Sequence, residues 1–96
     1  MRVALITGAS SGIGLATARL FAERGVAVMG IARSADKLAA MEQGLAGLAA
    51  PVATLALDLT AEDAPARAVA ATTEHFGRLD HLVNNAGVGS PKPVHE

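Results

Sequence analysis

A strand, a glycine-spaced turn and a helix follow one another without a break over VALITGASSGIGLATARLF, from Val3 to Phe21. No other stretch limits the fold as tightly. Val3, Ala4, Leu5 and Ile6 form a short apolar run of the kind found in parallel strands covered on both faces. Thr7 to Gly14 supply the turn. Leu15 to Arg24 then carry apolar residues at Leu15, Ala18, Leu20, Phe21 and Ala22, a helical spacing that Gly25 stops.

Such a turn favours an anion. A helix N-terminus leaves backbone N–H groups without partners and carries a partial positive charge. Glycine lets the chain bend sharply and lets a phosphate approach without meeting a Cβ. Gly8, Gly12 and Gly14 are so placed, with Ser10 and Ser11 adding hydroxyl donors and Ile13 between the last two glycines. The third glycine lets the helix lie close to the strand. A dinucleotide pyrophosphate is the natural guest, against the plainer reading of a glycine-rich turn that binds nothing.

The rest of the chain repeats the strand–helix alternation. Val26–Ala32 reads as a second strand, and Ser34 as the N-cap of a helix from about Ala35 to Leu48. Leu38, Met41, Leu45 and Leu48 form its apolar stripe, and Gly44 and Gly47 predict fraying or a break in its second half. Val52–Leu57 is a third strand. Thr60 is expected to cap a third helix, with Asp63 at the reciprocal capping-box position and Pro65 in the first turn. That helix carries Ala66, Val69, Ala70, Thr73 and Phe76 and stops at Gly77. Leu79–Asn84 gives the fourth strand, and Val88–Glu96, with Pro91 and Pro93, a loop.

Right-handed crossovers then dictate an α/β fold: a partial Rossmann-type, doubly wound parallel sheet of four strands in order 3-2-1-4 with three helices. Residues 1–96 form one partial dinucleotide-binding domain. Ligand chemistry is expected at the carboxyl ends of the strands.

TGASSGIG, spaced Gly-x-x-x-Gly-x-Gly, resembles the cofactor signature of the short-chain dehydrogenases/reductases. Asn84, Asn85, Ala86 and Gly87 resemble that family's second motif, NNAG, at the expected separation. The resemblance covers essentially the whole chain. It implies an oxidoreductase that moves hydride between a nicotinamide cofactor and a carbonyl or alcohol substrate. A nucleoside-cofactor methyltransferase is the third reading, and the glycine spacing and NNAG speak against it.

Cofactor choice falls at the end of strand 2. An NAD site wants a carboxylate about 20 residues past the glycines, to hold the ribose 2′-hydroxyl. Here stand Ala32, Arg33 and Ser34. A guanidinium grips a 2′-phosphate with two parallel hydrogen bonds, and Arg33 also matches the basic position of NADP-preferring family members. NADP(H) is therefore expected over NAD(H), with a solvated arginine as the alternative. Many of those members carry a second basic residue in the glycine loop, where this chain has Ser11.

At the end of strand 3, Asp58 and Leu59 resemble the family's Asp-hydrophobic pair beside the adenine. The plainer alternative is that Asp58 caps the helix that follows; the two are compatible, and the adenine contact is the reading preferred. By the same resemblance Asn84 and Asn85 hold the central sheet, and the backbone of Asn85, Ala86 and Gly87 lines the cofactor, with Gly89 giving further close passage. A plain turn is the alternative there.

The other polar residues read as structure. His75, His81 and His95 lack metal-ligand spacing, and zero cysteine removes thiolate chemistry and disulfides together. Asp36, Lys37, Glu42, Glu62 and Glu74 read as solvated helix faces. Asp80 reads first as a surface residue and second as a group orienting the adenine pocket. A net charge of −1 with mixed signs offers no basic face for nucleic acid or membrane. No apolar run reaches the ~18 residues of a membrane span, and Met1-Arg2 leads straight into strand residues. A cytoplasmic protein is the expectation.

Hydride transfer needs a proton donor at the substrate oxygen. In the family it is a tyrosine, paired with a lysine four residues on and assisted by a serine and an asparagine. This chain has no tyrosine, and Ser90 and Lys92 lie in the loop. The resemblance thus implies a cofactor half without its catalytic half, inactive on its own. Leu82-Val83 leaves strand 4 an apolar sheet edge, so pairing with a complementary chain or with itself is expected there. A stand-alone nucleotide-binding or sensor module is the alternative.

Overall fold

The computed structural model describes residues 1–10 and 12–85. The expectations that fall on Ser11, Ala86, Gly87, Gly89 and the loop from Val88 to Glu96 lie outside those residues. Seven elements alternate: β1 (Val3–Thr7), α1 (Gly12–Glu23), β2 (Ala27–Ala32), α2 (Ala35–Leu45), β3 (Val52–Ala56), α3 (Ala64–Phe76) and β4 (His81–Asn84). The strands are all parallel and lie in the order β3-β2-β1-β4, as the crossover argument requires.

Alternation along the two central strands divides the interior. Ala4 and Ile6 of β1, with Val28 and Ala32 of β2, face α1 and α2, where they meet Ala18, Ala22, Leu38, Met41 and Leu45. Leu5, Met29 and Ile31 face the other way and join Ala64 and Ala68 of α3. β1 and β2 are buried along their whole length, which is why both read as unbroken apolar runs.

The helices depart from the sequence-based bounds where glycine and hydroxyl residues are involved. α1 begins at Gly12, three residues ahead of Leu15, because Gly14, Ala18 and Ala22 form one buried row at four-residue spacing. α2 ends at Leu45, and the weakness expected of Gly44 and Gly47 closes it there. Thr60 does not cap α3. Its hydroxyl and its N–H both donate to Asp58, at 2.7 and 2.9 Å, and α3 starts four residues later after Asp63, whose side chain makes no cap hydrogen bond. The buried face of α3 is Ala64, Ala68 and Thr72, while Ala66, Val69, Ala70 and Thr73 are exposed. In a helix so rich in alanine, size marks no face. The sheet selects the row that allows the closest approach.

Asp80 sits at the amino end of the sheet, away from the strand ends where a ligand is expected. Its carboxylate accepts from the Val3 N–H at 2.8 Å and from the Arg78 guanidinium at 2.7 and 2.9 Å. Its N–H donates to Val3 O at 2.9 Å, so β4 is anchored to the start of β1 at both groups. These partners, Arg78 first and the Val3 N–H second, hold the Asp80 carboxyl below the usual carboxylate range. Among the described residues, no helix is long and apolar enough to cross a membrane, and no cluster of His, Asp or Glu could hold a metal ion.

Candidate nucleotide site

The turn after β1 is held by two contacts that leave the flank at Gly12 open. Gly8 and Gly12 both have positive φ, 63° and 56°, which side chains disfavour. The Ala9 N–H donates to Ile31 O at 3.2 Å, tying the turn to the carboxyl end of β2. Gly14 lies against the turn itself: a Cβ there would stand 1.9 Å from Gly8 O. The first turn of α1 therefore sits directly on the backbone that precedes it. Gly12 faces the opposite condition, with no described atom within 4 Å of where its Cβ would be.

Beside the turn is a cleft of about 430 Å³ formed where β1, β2 and β3 end. Gly8 and Ser10 line one side, Ala32, Arg33 and Ser34 the middle, and Asp58, Leu59 and Thr60 the other side. Ser34 also caps α2, its hydroxyl accepting the Lys37 N–H at 3.2 Å. Asp58 Oδ1 is taken by the two Thr60 donors. The Thr60 hydroxyl and then its N–H lower the Asp58 pKa, and the nearby Arg33 charge adds to the effect, so the cleft keeps a carboxylate. The Asp58 cap and its place in the cleft coexist, except that the cap is of its own loop and not of α3.

On the other side of β1, Thr7 clamps the end of β4. Its hydroxyl donates to Asn84 Oδ1 at 2.8 Å and accepts the Asn85 N–H at 2.9 Å. Asn85 packs on the glycine turn, its carbonyl oxygen 3.1 Å from where a Gly8 Cβ would be. Asn85 Nδ2 is buried without a hydrogen-bond partner among the described residues.

Comparison with known proteins bears on this arrangement. The pattern that defines the short chain dehydrogenases matches residues 2–96. The chain belongs to the short chain dehydrogenase family. It is 48% identical over 98 residues to cis-4-hydroxycyclohexanecarboxylate dehydrogenase of Sinomonas cyclohexanicum, an alignment covering 99% of this chain and 38% of that protein. L-sorbose reductase from Gluconobacter frateurii, solved with NADPH and L-sorbose, superposes with a TM-score of 0.85 at 38% identity over 97% of this chain and 36% of that one. A metagenomic short-chain oxidoreductase in complex with NADP gives a TM-score of 0.83 at 41% identity, covering 98% and 43% of the two chains. This short chain dehydrogenase sequence thus spans well under half the length of the relatives it matches.

Of the residues read from sequence, the fold brings Gly8, Ser10, Arg33, Ser34, Asp58 and Leu59 to one cleft. Gly12, Ile13 and Gly14 open α1 beside it, with Ile13 64% exposed. Asn84 and Asn85 stand on the far side of β1, joined through Thr7. Ser11, Ala86 and Gly87 lie outside the described residues. Sequence reasoning in this short chain dehydrogenase missed three contributors. From sequence Thr7 reads only as part of the turn, Thr60 only as a cap and Lys37 as a solvated face, yet Lys37 lines the cleft with Arg33. Nothing in the spacing of the sequence signals Lys37, because Arg33 precedes the Ser34 cap and lies outside the helix.

Proposed function

We propose that this chain is the NADP(H)-binding portion of a short-chain oxidoreductase acting on a carbonyl or alcohol substrate. One observation carries the reading: a single cleft at the ends of β1, β2 and β3 is lined by the glycine turn through Gly8 and Ser10, by Arg33 and by Asp58. The residues fit a nicotinamide dinucleotide. The positive φ and open flank of Gly12 leave room for a phosphate against the α1 N-terminus, and Ser10 adds a hydroxyl donor. Arg33 supplies the grip on a 2′-phosphate where an NAD site would carry a carboxylate. Asp58 Oδ2, left over by Thr60, is an acceptor for the adenine amino group, with Leu59 beside it. Asn85 Nδ2 is a buried donor at the end of β4.

When bound, the nicotinamide supplies or takes up hydride. This chain's own residues bind and orient. The sequence holds no tyrosine to act as the proton donor that carbonyl reduction needs, so the chain alone is expected to bind dinucleotide without turning over substrate. The NADPH and NADP carried by the two solved relatives support the cofactor choice. Their sugar and other substrates are their own, and the substrate here is proposed only as a carbonyl or alcohol.

Titrating the chain with NADPH and NADH, followed by calorimetry, tests this. A charge-assisted hydrogen bond contributes roughly 1.5–3 kcal/mol, so NADPH should bind about ten- to a hundredfold tighter. Arg33→Asp should invert the preference. Binding of neither dinucleotide, or a ratio that Arg33→Asp leaves unchanged, overturns the reading.

A further inference from the structure

Between α1 and α2 runs a groove of about 380 Å³ that the cofactor reading leaves unused. It meets the cleft at the strand ends only through Ser10 and Lys37, which line both. Away from that end its walls are apolar, with half-buried Leu15 on the α1 side and buried Met41 and Leu45 on the α2 side. A helical rise of ~1.5 Å per residue puts Gly44 about 10 Å from Lys37 along α2, so the groove is elongated. Its volume falls within the ~300–1,000 Å³ of small-molecule sites, which also combine apolar walls with few polar groups.

Two features indicate what would fill it. The groove is open because α2 borders it with its smallest residues, Ala40 and Gly44, at a four-residue spacing. Apart from its own helical turn, no described atom comes within 4 Å of where a Gly44 Cβ would stand. Glycine weakens a helix interior relative to alanine, and packing gives no reason for it here. The second feature is charge. Lys37 and Arg19 border the groove, and no carboxylate does. Arg19 is partly neutralised by Glu23, its Nε donating to Glu23 Oε2 at 3.0 Å. The Lys37 ammonium forms no ion pair or side-chain hydrogen bond with a described residue. Uncompensated positive charge therefore lies at the Ser10 end and apolar surface beyond it.

We propose that this groove is a binding site, separate from the dinucleotide cleft, for a small amphipathic carboxylate of the fatty-acid class. Its carboxylate accepts from the Lys37 ammonium and the Ser10 hydroxyl. Its alkyl chain runs between Leu15 and Met41 and ends over Gly44, where any longer side chain would block it. An acid without an apolar body gains only an exposed ion pair and binds weakly. The proposal does not depend on the dinucleotide reading.

Octanoate is the probe, titrated into the isotope-labelled full chain and followed by nuclear magnetic resonance. The amides of Leu15, Ala40 and Gly44 should shift in a saturable way. Butanoate should bind more than about tenfold weaker, since each buried methylene is worth about fourfold. Octylammonium, with the same tail and the opposite charge, should leave these amides unshifted. Gly44→Leu fills the groove from an open position and should abolish octanoate binding while NADPH affinity stays unchanged. Lys37→Gln, a second variant that removes the head contact, should weaken octanoate about fivefold. Circular dichroism checks that each variant folds. No saturable shift in the groove, shifts confined to β4, equal binding of butanoate or octylammonium, or octanoate binding that survives Gly44→Leu overturns the proposal, and each of these leaves the cofactor reading standing.

Discussion

Gly12 and Gly14 sit two residues apart, yet the space around them asks opposite things of a side chain. A Cβ on Gly14 would meet the Gly8 carbonyl oxygen at 1.9 Å, backbone against backbone, with no flexible atom to yield. Gly14→Ala should therefore cost at least about 3 kcal/mol, the upper range for overpacking. At roughly 4–8 °C per kcal/mol for a chain of this size, the melting temperature should fall by more than about 12 °C. Gly12 has open space and only its φ of 56° to lose. Gly12→Ala should cost about 1–2 kcal/mol of stability, the penalty for a left-handed residue, while dinucleotide affinity drops more than about tenfold. Melting and titration of the two variants separate a packing glycine from a ligand-facing one. Equal effects of both on stability would show that the free space at Gly12 is not real.

Asp80 gives a prediction in pH. Its folded-state pKa is lowered by Arg78 and the Val3 N–H, so its contribution is present above the ordinary carboxylate value and is lost as pH falls through the lowered one. Asp80→Asn should melt lower than the parent at pH 7, and the gap should close below about pH 4. A gap that stays constant down to pH 3 would mean the ion pair and the β1 anchor contribute through shape rather than charge.

At the scale of elements, Gly30 and Met41 show how α2 seats on β2. A Cβ on Gly30 would come 2.9 Å from Met41 Cε, the far end of a flexible side chain, and 3.2 Å from Ala9 Cβ. Gly30→Ala is thus expected to destabilise by no more than about 1–2 kcal/mol. Combining it with Met41→Leu should recover part of that loss, a coupling readable in a double-mutant cycle of urea melts. Simple additivity of the two changes would place the strain at Ala9 instead.

How much of each element was legible follows from where its partners lie. β1 and β2 could be read directly, because strands covered on both faces are apolar at every position. The cap of α2 was equally plain, since Ser34 bonds a group three residues on. The face of α3 was not, because alanine on nearly every side carries no periodic signal and the sheet alone decides which row is buried. Thr7 was opaque for a different reason. Its hydroxyl looks like ordinary turn chemistry until Asn84, 77 residues later, is brought beside it. Lys37 required the angle at which α2 leaves β2, which no spacing rule supplies.

At the scale of the molecule, the described residues have a well-protected centre and an apolar flank at β4. Among the described residues β4 is an edge strand, its residues alternating between half-buried and exposed, and Leu82 is 62% exposed. Next to it, Leu82, Val69 and Pro65 border an apolar hollow of about 160 Å³ that reaches Leu5 and Ala68. An uncharged edge strand beside an apolar hollow is a template for further pairing. In sedimentation velocity the chain should gain apparent mass as its concentration rises, and Leu82→Lys should suppress the gain. A chain that remains monomeric throughout would show that β4 is adequately shielded as it stands.

The anchor between Asp80 and Val3 has a consequence in time. Its two residues are 77 positions apart. At the ~5–20 residues per second of cellular synthesis, β1 waits roughly 4–15 s for the strand that will lie on its outer side. Over that interval Thr7 has no Asn84 to hold, and one half of the proposed nucleotide site has not yet come into being. If the proposed site is right, a nascent chain of this kind forms its glycine turn early and the β4 side of the site last, so a nucleotide present during synthesis meets a half-made receptor.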